Sequence, residues 1–143
     1  MTNQKGQSLF EVIVAMAIVT MILTAVVALA ATSIRNTTSS RNEATATRLA
    51  QEAIEWLRGE RDASWQIFAN NSLTPTWCFE TLSWSKAGPC TAGDEVAGTI
   101  FRRGANFANA GTSVEASVVV SWADAQGDHE VRTSTLFTDW RTQ

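Results

Sequence analysis

Few residues in this 143-residue chain have types and spacing that could do chemistry. The first is a carboxylate. Glu11 stands at the head of a run, residues 12–31, that holds no charge, no glycine and no proline. A carboxylate at the centre of a bilayer costs about 2.5–3.5 kcal/mol on insertion scales, so an acid in that setting is a candidate for ion pairing. The other chemistries fall away. Any Ser-His-Asp triad would have to use the single histidine, His129, and no serine sits in a Gly-x-Ser-x-Gly turn. His129 follows the turn acid Asp128 and reads as a solvated strand residue. No glycine-rich phosphate cradle is present, so no nucleotide is expected. Asp94, Glu95, Asp124 and Asp128 are loop acids without EF-hand spacing. Cys78 and Cys90, with one histidine and no second cysteine pair, do not make a zinc site. No metal, no cofactor and no enzymatic activity are expected.

The elements that position Glu11 come next. A run of about 20 apolar residues spans roughly 30 Å as a helix, the thickness of a bilayer's hydrocarbon core, and a helix satisfies its own backbone in lipid. Residues 12–31 therefore read as one membrane-spanning helix, approached through Leu9 and Phe10. The polar stretch 36–42, NTTSSRN, contains poor helix formers and is a candidate break. Helical periodicity resumes beyond it. Ala46, Leu49, Ala50, Ala53, Ile54 and Leu57 recur at spacings of three and four, opposite Arg48, Gln51, Glu52, Glu55 and Arg58. Arg48 lies four residues before Glu52, which allows an ion pair, and Gly59 is a stop signal.

The rest of the chain is long enough for one small domain with a single core. Asp62 is a candidate cap for a short helix over 63–69 that turns Trp65 and Phe68 inward. Strands follow: a short one at Trp77-Cys78-Phe79, then a loop over 83–96, then a strand over 99–107 bent or bulged at Gly104. Val114, Ala116, Val118, Val120 and Trp122 alternate with Glu115, Ser117, Val119 and Ser121, a period of two. Ala125-Gln126-Gly127-Asp128 reads as a hairpin turn, with a partner strand over 130–138. The expected class is α+β, the second half of a long N-terminal helix packed on a small antiparallel sheet. A net charge of −3 argues against a nucleic-acid-binding surface. The six tryptophans read mainly as core packing.

The segment Gly6-Gln7-Ser8-Leu9-Phe10-Glu11, after the short basic start MTNQKG and before the apolar run, resembles the cleavage motif of type IV prepilins and type II secretion pseudopilins. The resemblance implies a dedicated prepilin peptidase that cuts between Gly6 and Gln7 and methylates the new N-terminus. Glu11 becomes the fifth mature residue, and its implied role is pairing with the amine of a neighbouring subunit during filament assembly. The family's mature chains usually begin with Phe or Met; this one begins with Gln, which can cyclise. Major pilins often carry Gly and Pro within the span, and their absence here suits a minor subunit or a pseudopilin. The strand ending in Trp122, the Gly-Asp turn and the closing strand ending in Asp139-Trp140 are similar to the heads of PilV-like minor subunits. The implied shape is a lollipop.

The implied topology places the N-terminus in the cytoplasm and the head outside, in a filament once assembled. Charge does not favour it, since Arg35, Arg41 and Arg48 follow the span and only Lys5 and the amine precede it; the motif overrides the charge rule. Outside the cytoplasm a Cys78–Cys90 bridge is expected, with two buried free thiols as the alternative. The expected divisions are a leader, 1–6; a transmembrane and assembly half-helix, 7–31; an amphipathic half-helix, 32–59; and a head, 60–143. Expected partners are prepilin peptidase, other pilin or pseudopilin subunits, and membrane lipid before assembly. Whether the head meets secreted cargo, a surface or DNA is open. Two other readings remain: a soluble domain secreted by signal-peptidase cleavage after Ala30, and an uncut single-span anchored binding module.

Overall fold

The computed structural model describes residues 5–142, with side chains from 9 to 141. Within it the chain divides into two units, 1–41 and 42–143. Helix α1, Lys5–Ala63, contributes to both. In the first unit every described side chain is exposed, including the whole apolar run. The candidate break over 36–42 is instead helical. Its threonines accommodate the helix by bonding back to the preceding turn: Thr37 Oγ1 donates to the Ser33 carbonyl at 2.9 Å and Thr38 Oγ1 to that of Ile34 at 3.1 Å. A hydroxyl engaged in this way no longer competes for nearby backbone groups in non-helical geometry.

In the second unit the three-four stripe Ala46, Leu49, Ala50, Ala53, Ile54 and Leu57 is buried, as its spacing predicts. The charged side differs from expectation. Glu52 turns to Arg103 on the sheet, Nη1 to Oε2 3.1 Å, rather than to Arg48, and Glu55 pairs with Arg58. The helix also runs through Gly59 to Ala63. A lone glycine lowers helix propensity by about 1 kcal/mol, which burial of the flanking stripe outweighs. Ser64, extended at φ −158°, is the residue that caps α2, Trp65–Asn71; its Oγ accepts the Ile67 N–H at 3.3 Å. Asp62, the expected cap, instead accepts from Arg61 and from the Trp140 indole.

The sheet has five antiparallel strands in the order β2-β1-β3-β4-β5. They are β1, Thr76–Cys78; β2, Lys86–Ala87; β3, Arg102–Ala110; β4, Ser113–Asp124; and β5, Gly127–Thr138. The β4 alternation is real: Val114, Ala116, Val118, Val120 and Trp122 are all buried. The fold class is therefore α+β, a helix packed on an antiparallel sheet. Gly104 marks no bulge, because the β3 register runs through it unbroken. It marks a close approach: a Cβ there would lie 3.3 Å from the Trp77 carbonyl oxygen and 3.9 Å from Cys90 Sγ.

Phe68 is the centre of the core. Its ring meets Phe137 at 5.0 Å, Phe107 at 6.4 Å and Trp84 at 6.3 Å, joining α2 to the sheet and to the loop after β1. The tryptophans divide their two ends as that side chain favours. Trp77 and Trp84 pack on the core while their indole N–H groups reach the Asn71 carbonyl at 3.0 Å and Glu60 at 2.8 Å. Cys78 and Cys90 are joined by a disulfide with Cα atoms 4.9 Å apart, and the bridge ties β1 to the loop that returns to β3.

That loop is held again at Asp94, which is buried. Its carboxylate pairs with Lys86 and accepts the Thr91 N–H at 2.7 Å and hydroxyl at 2.9 Å. The Lys86 partner first, then the two Thr91 bonds, pull its pKa from 3.8 to about 2. A carboxylate lowered in the fold contributes stability in full above its unfolded value and loses it as pH falls through the folded one. Asp94→Asn should therefore be less stable than the parent at pH 7, and the difference should vanish between pH 3.8 and about 2. Denaturant unfolding across that range checks it. Phe68→Ala should cost about 3–5 kcal/mol in the same assay. Ile67→Ala, at a side chain 61% exposed, should stay within about 0.5 kcal/mol.

Candidate processing and assembly segment

Leu9, Phe10 and Glu11 all lie on α1, exposed, with Leu9 and Phe10 at 66% and 70%. Gly6 and Gln7 lie on the same helix, but the Gln7 side chain falls outside the described residues, as do residues 1–4 altogether. About one helical turn, roughly 6 Å along the axis, separates positions 7 and 11. Among the described residues, none hydrogen-bonds or ion-pairs Glu11.

Beyond Glu11 the helix is long and apolar enough to cross a membrane, and none of that stretch is buried within the chain. Leu9, Phe10, Ile13, Met16, Met21 and Leu29 are each more than half exposed. Thr20 and Thr24 do not break the apolar surface, because each hydroxyl donates to a carbonyl of the preceding turn at 2.9–3.0 Å. Among the described residues the segment thus presents one unpaired carboxylate and a continuous hydrocarbon surface.

The head holds polar groups that the sequence left unassigned. Arg103, only 3% exposed, donates Nε–H to the Phe79 carbonyl at 3.1 Å and Nη1–H to Glu52 and to the Leu49 carbonyl. Burial pushes its pKa down, and Glu52 opposes the shift. The signal for it was present in the sequence. Arg103, Ala105 and Phe107 alternate on the inward face of β3, in step with Phe101 just before it, so the arginine occupies a core position. His129 is not the solvated residue expected. It stacks on Trp122, ring centroids 5.2 Å apart and planes at 17°, with Nε2 2.9 Å from Asp124 Oδ1. The Gln126 N–H and then His129 hold the Asp124 carboxyl below its usual range. These groups stabilise a core and a hairpin; they bring no nucleophile and base together.

The family described as the prokaryotic N-terminal methylation motif matches residues 1–32. No curated protein and no solved structure matches the chain. The matched residues contain the Gly6-Gln7 junction, Glu11 and the apolar run, and the motif is one of structural subunits anchored in a membrane. With the long apolar helix that follows, residues 1–32 resemble the leader and span of type IV pilins and pseudopilins.

Proposed function

We propose that the chain is a structural subunit, a minor pilin or pseudopilin, of a type IV pilus-like or type II secretion-like filament. The observation that carries this reading is the methylation motif over residues 1–32, joined to a helix whose apolar surface is exposed among the described residues. Prepilin peptidase removes residues 1–6 by cutting between Gly6 and Gln7, and methylates Gln7. Residues 7–31 first span the cytoplasmic membrane with the head, 60–143, outside. They then leave lipid for the core of an extracytoplasmic filament, where the helices of other subunits replace the lipid chains. Residues 32–59 are the amphipathic half of the same helix.

Glu11 sets the register of that packing. A carboxylate in apolar surroundings is tolerated when a cation pairs with it, and the N-terminal amine released at Gln7 is the cation cleavage creates. Pairing with a neighbour's amine satisfies both charges at once, and Leu9 and Phe10 pack beside the pair. The unpaired state is costly, so insertion of a subunit out of register is disfavoured by the same interaction.

Glu11→Leu should leave membrane insertion and leader removal intact and lower filament incorporation at least tenfold. Membrane fractionation checks the first part, and recovery of the chain in sheared filaments checks the second. Unchanged incorporation of the variant would remove the pairing role.

A further inference from the structure

On the face of the sheet opposite the core, the even-numbered residues of β3 and β5 lie beside the odd-numbered residues of β4. Gly104, Val119 and Arg132 form one row across the three strands. Gly104 has no side chain and Val119 a short one, so the row sinks into a pocket of about 210 Å³. Arg102 and Ser121, paired across β3 and β4, stand on one side of it. Thr76 and Asn106, paired across β1 and β3, stand on the other. Cys90, held by its disulfide to Cys78, closes the β1 end.

The chain is acidic, with a net charge of −3, yet this lining holds two arginines and no acid among the described residues. Among those residues nothing hydrogen-bonds or ion-pairs the Arg102 guanidinium. Glu95, its partner in a backbone bridge, turns its carboxylate to the Gly93 N–H at 3.4 Å. Arg132 gives Nη2 to Glu130 at 3.2 Å and keeps its other donors. From strand spacing and rise, the Cα atoms of the two arginines flank the floor about 12 Å apart, within reach of one ligand for two such long side chains. The neutral groups are already oriented. Thr76 Oγ1 donates to Asn106 Oδ1 at 3.0 Å, which leaves the Asn106 amide N–H groups as donors and the Thr76 oxygen as an acceptor.

We propose that this pocket binds a sugar acid, a hexuronate, by its carboxylate. The arginine fork matches a carboxylate in two parallel bonds. Sugar hydroxyls both donate and accept, as do Thr76, Asn106 and Ser121 beside the floor. A phosphodiester offers acceptors alone, and an acidic protein side chain brings no hydroxyls. Either would use the arginines and leave the neutral groups idle. The pocket has more room than a lone carboxylate fills and enough for one sugar ring. The site lies wholly on the head, so binding depends neither on leader removal nor on Glu11. Only its access to an extracytoplasmic polysaccharide rests on the topology proposed above.

The test is a titration of the full chain in detergent micelles with D-glucuronate, read from the ligand's own NMR signals. Glucuronate should bind with a millimolar Kd, and its uncharged methyl ester at least tenfold more weakly. Arg102→Gln and Arg132→Gln, which alter no core contact, should each weaken binding at least fivefold. Arg58→Gln, exposed on α1, should leave it unchanged. Glu130→Gln, which frees Arg132, should tighten it at least twofold. Trigalacturonate separates the two sources of such an acid: tighter binding than the monosaccharide assigns a residue within a polysaccharide, and equal binding assigns the free sugar acid. The proposal is overturned if neither uronate binds, if the methyl ester binds as tightly as glucuronate, or if both arginine variants bind as the parent does. It is also overturned if a DNA oligonucleotide or an oligoglutamate peptide occupies the site more tightly than trigalacturonate.

Discussion

The constraint on which the rest depends is an uncovered hydrocarbon surface with a carboxylate at its head. Among the described residues, those of the run 12–31 are all exposed and show no polar face, and Glu11 finds no partner. Water is a poor solvent for the first, and lipid is a poor solvent for the second. At about 25 cal/mol per Å² of apolar surface, leaving such a helix in water is far costlier than any contact the head offers in return. Other helices that supply both apolar cover and a cation would meet the two demands together. The proposed assembly role rests on that pairing.

The head answers a different requirement, that a small sheet hold one amphipathic helix firmly. Buried alanines on the helix let its backbone lie close to the strands, and Phe68 closes the end of the core from α2. Arg103 adds direction to this otherwise non-directional packing. Its guanidinium binds a carbonyl of the helix, a carboxylate of the helix and a carbonyl of the chain after β1. A buried arginine contributes little net stability relative to an apolar residue, but its fork of donors fits one arrangement of acceptors. The disulfide and Asp94 fix the loop in which β2 lies, so the irregular part of the head is held by covalent and ionic contacts.

Periodicity made much of this legible. The three-four stripe of α1 and the period-two run of β4 are long, and each places its apolar residues where the structure buries them. The motif around Glu11 was legible because it combines a rare charge with an uninterrupted span. What failed was local. Residues 36–42 looked like a break because threonine and serine have low intrinsic helix propensity, yet their hydroxyls bond back to the helix. Gly104 looked like a bulge because a strand glycine has two common causes, and here the cause was a neighbouring backbone. Ser64, rather than Asp62, caps α2 because the helix before it outran its glycine. The Arg103–Glu52 contact joins residues 51 positions apart and could not be paired from one sequence, although the arginine's inward position was visible.

The measurement that tests the central claim most directly is the N-terminal sequence and intact mass of the protein purified from its native membrane. The account predicts a chain that begins at Gln7 and is heavier by one methyl group than the bare polypeptide. A chain that still begins at Met1, or one that begins at Ala31 without Glu11, would contradict it.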